Sequence, residues 1–232
     1  MNIKTLLLSA LIVMLTSGCS GTYHAYYETL KIAFAEQPDA QMTLAEVQQS
    51  PVDVISVKRG DRSDAIMALA YLENGQHKWV SQDKAMLVME KGRIVRSLGL
   101  TENLRYLANT KTDPLKTLPA EIPKDLWQSA ADYTGDQYGY PLASTFTTKE
   151  SDKLQALSLN IDTVLFVEEV NYLAHANFMR FNRNWHNYYW YHKQSGELLK
   201  TIQTLSPFAE PLHITYLSRI ARLSPSLADK QQ

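Results

Sequence analysis

One cysteine, Cys19, is the only thiol in the 232 residues, so no internal disulfide is possible, and a lone thiol in an exported chain asks for another explanation. Neither sign of charge dominates: 23 Lys and Arg face 24 Asp and Glu, with no run of five or more like charges. That removes the electrostatic footprint of a nucleic-acid binder. The 9 Gly and 9 Pro are scattered, leaving no low-complexity segment and no internal repeat. Gly-x-Ser-x-Gly, Gly-x-x-x-x-Gly-Lys and His-Glu-x-x-His are all missing, and with them the common hydrolase, nucleotide and zinc-protease patterns. No cofactor is implied. What remains is an ordinary globular composition, 45% hydrophobic and 20% charged.

The strongest positive signal lies at the start. Lys4 sits in a short positive region, residues 6–15 are apolar apart from Ser9, and Thr16-Ser17-Gly18-Cys19 follows. The apolar run is too short to cross a bilayer, which takes ~20 residues, and its flanks are those of a secretory signal peptide. Residues 16–19 resemble a bacterial lipobox, with Thr16 where Leu is commonest, and the resemblance implies diacylglyceryl modification of Cys19 and loss of residues 1–18. Each buried CH₂ contributes ~0.8 kcal/mol, so more than one acyl chain gives lasting membrane attachment. Ser20 stands where Asp would favour inner-membrane retention, which by resemblance to Gram-negative lipoproteins favours the outer membrane.

In the mature chain, Tyr23, Tyr26, Tyr27, Leu30 and Phe34 have helical spacing, predicting a helix over 23–36. Thr43 and Glu46 match a capping box for a short helix that Pro51 ends. From Val52 the pattern is that of strands. Asn74-Gly75 and Lys91-Gly92 mark tight hairpin turns, and Ser195-Gly196 marks another. Pro114, Pro119 and Pro123 make 109–124 a crossover, and Tyr133 to Tyr140 reads as an aromatic-rich loop. Hairpin-linked strands without intervening helices predict a mainly β fold: an antiparallel sandwich or partly closed barrel with a short N-terminal helix. The expected segments are the signal peptide 1–18, a lipid-anchored and helical stretch 19–50, a β domain 51–222 and a tail 223–232. A split into two small domains near Pro114 is the alternative.

Candidate chemistry is sparse. His186 and His192 share a strand face but lie roughly 20 Å apart along it, too far to share a metal. Glu168 and Glu169 are adjacent in a strand and point to opposite faces. Asp132 and Asp136 share a loop, and Arg59-Gly60-Asp61 reads as a turn. The densest aromatic stretch runs from Phe178 to His192, where alternation puts Tyr188 and Trp190 on one face and Tyr189 and Tyr191 on the other. One face belongs to the core, and the other is a candidate contact platform for glycan or partner. Arg180 and Arg183 beside it are suited to acidic sugars or a partner's carboxylates.

The segments Trp79-Val-Ser81, Gly92-Arg-Ile-Val-Arg-Ser-Leu-Gly-Leu100, Asn187-Tyr-Tyr-Trp190, Ser195-Gly196, Thr201-Ile-Gln203 and Pro207, in this order, resemble the group 4 capsule lipoproteins of the GfcB/YjbF type. Two positions depart from the family's usual pattern: Thr201, where Ser is commoner, and Leu199, where an aromatic is. The resemblance implies a non-enzymatic outer-membrane lipoprotein of exopolysaccharide or capsule assembly and secretion. It also implies an outer-membrane β-barrel protein and a periplasmic protein as partners, and no catalytic residues. A periplasmic glycan-binding module and a polysaccharide-modifying enzyme are the alternatives. Exposed rings in a groove would mark the first, and carboxylates converging in a pocket the second.

Overall fold

The computed structural model describes residues 40–135, 137–150, 153–173 and 184–224. The signal segment, Cys19, the helix expected over 23–36, Asp136, Arg180, Arg183 and residues 225–232 of the tail lie outside them.

A short helix, α1 (Leu44–Gln49), opens the described chain, and the reciprocal capping box of Thr43 and Glu46 holds its start: the Thr43 backbone N–H donates to Glu46 Oε2 at 2.7 Å. The strands then follow as β1 (Val54–Arg59), β2 (Ala65–Glu73), β3 (Gln76–Ser81), β4 (Met86–Glu90), β5 (Arg93–Leu98) and β6 (Leu104–Leu107). After a crossover with two short 3₁₀ turns come β7 (Trp127–Tyr133), β8 (Gln137–Glu150), β9 (Leu154–Ala156), β10 (Leu159–Ile161), β11 (Thr163–Tyr172), β12 (Asn184–His192), β13 (Leu198–Gln203) and β14 (Leu212–Thr215). Helix α2 (Leu217–Arg222) closes the series.

Among the described residues, twelve strands form one antiparallel sheet in the order β5-β4-β3-β2-β1-β14-β13-β12-β11-β8-β7-β6. Strands from both sides of Pro114 share this sheet. The edge strands β5 and β6, consecutive in the chain, lie against one another. Side chains rather than a backbone ladder close this seam: the buried Leu104 N–H donates to Ser97 Oγ at 2.9 Å. The result is a nearly closed barrel, the second of the two all-β architectures expected. Full closure is one of the few ways a large sheet avoids presenting two bare edges.

Turn chemistry accounts for much of the register. Asn74 and Gly75 have φ of 51° and 78°, and Lys91 and Gly92 have 47° and 95°, the paired positive values of two-residue hairpins. Gly92 is doubly constrained, because a Cβ there would stand 2.2 Å from Leu198 Cδ2. The stretch from Tyr133 to Tyr140 is not a loop. Gly135 turns the chain within a few residues, so Tyr133 pairs with Gln137 and both flanks are strand. Tyr140 stacks on Tyr172 at 5.3 Å and meets the edge of Tyr133 at 5.8 Å, so these aromatics line the wall rather than cap it.

Inside the barrel, alternate residues from every wall form one apolar core that includes Ile55, Trp79, Met89, Ile94, Phe166 and Ile214. Outside it, α1, α2 and the β9–β10 hairpin cover part of the wall. Val47 and Leu217 pack with Val54, and Leu154 and Ile161 pack with Leu199 and Ile220.

Candidate functional site

Among the described residues, the apolar interior is interrupted by one charged cluster. Arg93, the first residue of β5, points inward with a side chain only 6% exposed. Its Nε and Nη2 grip Asp113 at 2.5 and 3.0 Å, and its Nη1 reaches Glu168 Oε2 of β11 at 2.9 Å. The same Glu168 oxygen accepts from Asn187 Nδ2 and from the Tyr189 hydroxyl, each at 2.9 Å, both from β12. The guanidinium carbon lies 4.5 Å from the Trp127 ring centre. Burial pushes the Arg93 pKa down, but Asp113 and Glu168 overcome this and hold it well above its ordinary value. Burial likewise works to raise Glu168, yet the charge and hydrogen bonds of Arg93, with Asn187, keep it below the usual carboxylate range. A second clamp lies nearby: Gln203 accepts from Ile94 N–H at 3.1 Å and donates to the Gly92 carbonyl at 2.8 Å.

Together these residues tie β5, at one end of the sheet, to β11, β12 and β13 near its middle. The cluster is a structural spoke. Both carboxylates are committed to Arg93 by hydrogen bonds, and Glu168, held ionised, is poorly placed to act as a general acid. The cavity bordered by Glu168 and Trp185 measures about 40 Å³, room for roughly two or three waters and too little for a sugar ring. Glu168 Oε1 and Trp185 Nε1 have no hydrogen-bond partner among the described residues.

The outer face of β12 is different. Tyr188 and Trp190 point away from the core, partly exposed, with their rings stacked at 6.0 Å and 30°. His186 continues the row at 6.3 Å from Tyr188. On β13, Lys200 sits opposite Trp190 with Nζ 5.2 Å from the ring centre. Farther along the same outer wall, Lys58 and His213 face one another on β1 and β14. Burial first, then the charges of Lys200 and Lys58, depress the His213 pKa against the opposing pull of Asp64.

The expected alternation therefore holds along β12, but it divides the candidate contacts. Tyr188 and Trp190 are available at the surface. Tyr189 and Tyr191 are not: they are 0% and 4% exposed and belong to the interior, because odd-numbered residues of this strand face the core. Glu168 and Glu169 point to opposite faces, with only Glu168 fully buried. His186 is exposed, and His192 Nδ1 lies 2.8 Å from Ser195 Oγ in its own turn. Asp132 accepts from the Gly139 N–H at 2.7 Å. The sequence reading missed Arg93 and Asp113. The signal available was an arginine next to a hairpin glycine in a strand otherwise apolar on its inner face, and a strand arginine is ordinarily outward.

Comparison with known proteins bears on this architecture directly. Residues 27–217 match the family described as group 4 capsule polysaccharide lipoprotein gfcB, YjbF. The chain belongs to that family. It is 24% identical over 213 residues to the uncharacterised lipoprotein GfcB of Escherichia coli strain K12, covering 91% of this chain and 97% of GfcB. To the uncharacterised lipoprotein YjbF of the same strain it is 29% identical over 210 residues, covering 89% and 94% respectively. The crystal structure of the hypothetical lipoprotein YmcC from Escherichia coli K12 is similar at TM-score 0.68 and 25% identity, over 81% of this chain and 91% of that one. As a family member, the chain is a capsule-type lipoprotein.

Proposed function

We propose that this chain is a non-enzymatic lipoprotein of the outer membrane, facing the periplasm, that acts in the assembly and secretion of exopolysaccharide or capsule. The family match supports the setting, and the lipobox at Cys19 supports the anchor. The observation that carries the molecular role is the outward Tyr188–Trp190 stack with Lys200 beside it, on a rigid barrel wall. Flat rings offer apolar faces to sugars or to a partner's side chains, and a fixed sheet holds them without an ordering cost. Arg180 and Arg183, which precede this strand in sequence and lie outside the described residues, are proposed contacts on the strength of their charge alone. An outer-membrane β-barrel protein and a periplasmic protein of the secretion machinery are the proposed partners.

A glycan-binding module is the second reading, favoured by the same stacked rings. The enzyme reading is weaker, because the converging carboxylates, Asp113 and Glu168, both serve Arg93.

Complementation of a deletion strain tests the proposal. Wild-type protein should restore secreted polysaccharide, Cys19→Ala should release the protein from the outer membrane, and Tyr188→Ala with Trp190→Ala should leave folded protein but reduced secretion. Arg180→Ala with Arg183→Ala should behave like the aromatic pair. Normal secretion by the deletion strain would reject the role. Outer-membrane fractionation of Cys19→Ala in high salt would reject the anchor.

A further inference from the structure

A groove of about 560 Å³ runs along the outer wall where β2 to β5 approach the seam with β6. Its volume falls within the ~300–1,000 Å³ range of ligand sites, and its two largest side chains are aromatic and open to solvent. Tyr71 is 58% exposed and Tyr106 60%. A tyrosine ring left this open on a sheet wall is surface available for stacking.

The charges in the groove decide what it would accept. Glu73 is paired with Lys78, whose Nζ also lies 6.0 Å from the Tyr71 ring centre. Glu90 is paired with Lys116 at 3.3 Å and accepts from Gln76 Nε2 at 2.8 Å. Those acids are neutralised in place. Arg96 of β5 and Arg105 of β6, both exposed and both lining the groove, have no ion-pair or hydrogen-bond partner among the described residues. The groove thus carries two guanidinium groups uncommitted among the described residues, one on each side of the seam, together with two open tyrosines. Guanidinium forks suit planar carboxylates, and rings suit the apolar faces of pyranoses.

We propose that this groove binds a segment of an acidic polysaccharide, with Arg96 and Arg105 holding sugar carboxylates and Tyr71 and Tyr106 stacking on its pyranose rings. The proposal rests on the capsule reading above and names the ligand chemistry for it. It assigns a second surface, set apart in sheet order from the β12 aromatics by β1, β13 and β14 on one side and by β7, β8 and β11 on the other.

The test uses the full-length lipoprotein in neutral detergent and a fluorescently labelled oligogalacturonate, with the carboxyl-reduced oligomer as its neutral counterpart. Binding of the acidic oligomer that weakens with added salt is expected, with at least roughly tenfold weaker binding of the reduced one. Arg96→Gln with Arg105→Gln should weaken binding about tenfold or more, and Tyr106→Ala about fivefold, whereas Arg96→Lys with Arg105→Lys should keep most of it. Lys193→Gln, which removes an exposed charge in the β12–β13 turn, should bind as wild type. Circular dichroism confirms that each variant is folded.

No binding of the acidic oligomer, equal binding of the reduced one, or full binding by the Arg96→Gln, Arg105→Gln protein would overturn the proposal. A concentration-dependent dimer that Tyr106→Ala dissolves would overturn it in favour of a second copy of the chain. Secretion separates this from the broader reading. If the wild-type gene rescues the deletion strain and the double glutamine variant rescues it equally, the groove assignment falls and the capsule role stands. If the deletion strain secretes normally, the capsule role itself falls.

Discussion

On the inner face of β12, Asn187, Tyr189 and Tyr191 are each under 5% exposed, and the first two are spent on one carboxylate oxygen of Glu168. On the outer face, two residues' width away, His186, Tyr188 and Trp190 form an open row with Lys200 alongside. The residue types are nearly the same. What differs is whether the polar tips have somewhere to go. Inside, the Tyr189 hydroxyl finds its acceptor in Glu168 and joins a rigid frame, whereas the buried Tyr191 hydroxyl has no hydrogen-bond partner among the described residues and its ring serves the core by packing alone. Outside, water satisfies the tips and the ring faces are left over for a ligand. Strand β5 repeats the contrast with arginine: Arg93 is buried and doubly paired, while Arg96, three residues on, is exposed and has no partner among the described residues.

The sharpest way to break this contrast is to treat both arginines alike. Arg93→Met removes the only guanidinium between Asp113 and Glu168 and leaves two buried carboxylates facing one another's field. Breaking a buried ion pair in this way costs about 3–5 kcal/mol. Arg96→Met, on the same strand, should change stability by no more than about 0.5 kcal/mol, the usual range for a surface position. Urea unfolding of the two variants measures both. Adding Glu168→Gln to Arg93→Met should recover part of the loss, since a neutral amide tolerates burial better than an unpaired carboxylate. Equal stability of the two single variants would mean that the interior cluster does not hold the barrel together.

Much of this architecture was legible because hairpins announce themselves chemically. Asn74-Gly75, Lys91-Gly92 and the Thr43/Glu46 box each carry a residue type that the backbone geometry demands, and the crossover was visible in its prolines. The β9–β10 hairpin was not, because its turn puts Leu157 and Ser158 at φ of 49° and 62°, positions where neither residue is a signal. Helix α2 was silent for a similar reason: its N-cap is Tyr216 and no side chain caps it, so packing against Val54 and Leu199 holds it instead. The alternation of β12 was readable from period alone. Which face was inside was not, since that depends on Glu168 and Arg93 meeting across the barrel from positions 75 residues apart in sequence.

Acid should separate the two faces next. Because the folded protein holds Glu168 below its ordinary value of 4.5, the group's contribution to stability is complete above that pH. It is lost as pH falls from there through the lower folded pKa, since the unfolded chain takes up the proton first. Other carboxylates titrate in the same window, so the informative quantity is the difference from Glu168→Gln. The unfolding free energy of wild type should fall more steeply below pH 4.5 than that of the variant. Parallel curves would place no linked proton on Glu168. Substitutions on the outer row, such as Tyr188→Phe, should leave the acid limb unchanged.

The smallest effect isolates a single oxygen on each face. Tyr189→Phe deletes the hydroxyl that donates to Glu168 Oε2 at 2.9 Å and preserves the ring that packs in the core. A hydrogen bond to a charged group contributes about 1.5–3 kcal/mol. The loss here should fall at the lower end, near ~1.5 kcal/mol, because Arg93 and Asn187 still donate to the same oxygen. Tyr188→Phe removes an equivalent hydroxyl one residue away. Its hydroxyl has no hydrogen-bond partner among the described residues, so its removal should shift stability by about 0.5 kcal/mol or less. Since the two variants lose the same atom from the same strand, the difference in their unfolding free energies reports the environment and not the chemistry of the substitution. A difference near zero would mean that the Glu168 hydrogen bond adds nothing to the frame, and that the inner and outer tyrosines of β12 are energetically interchangeable.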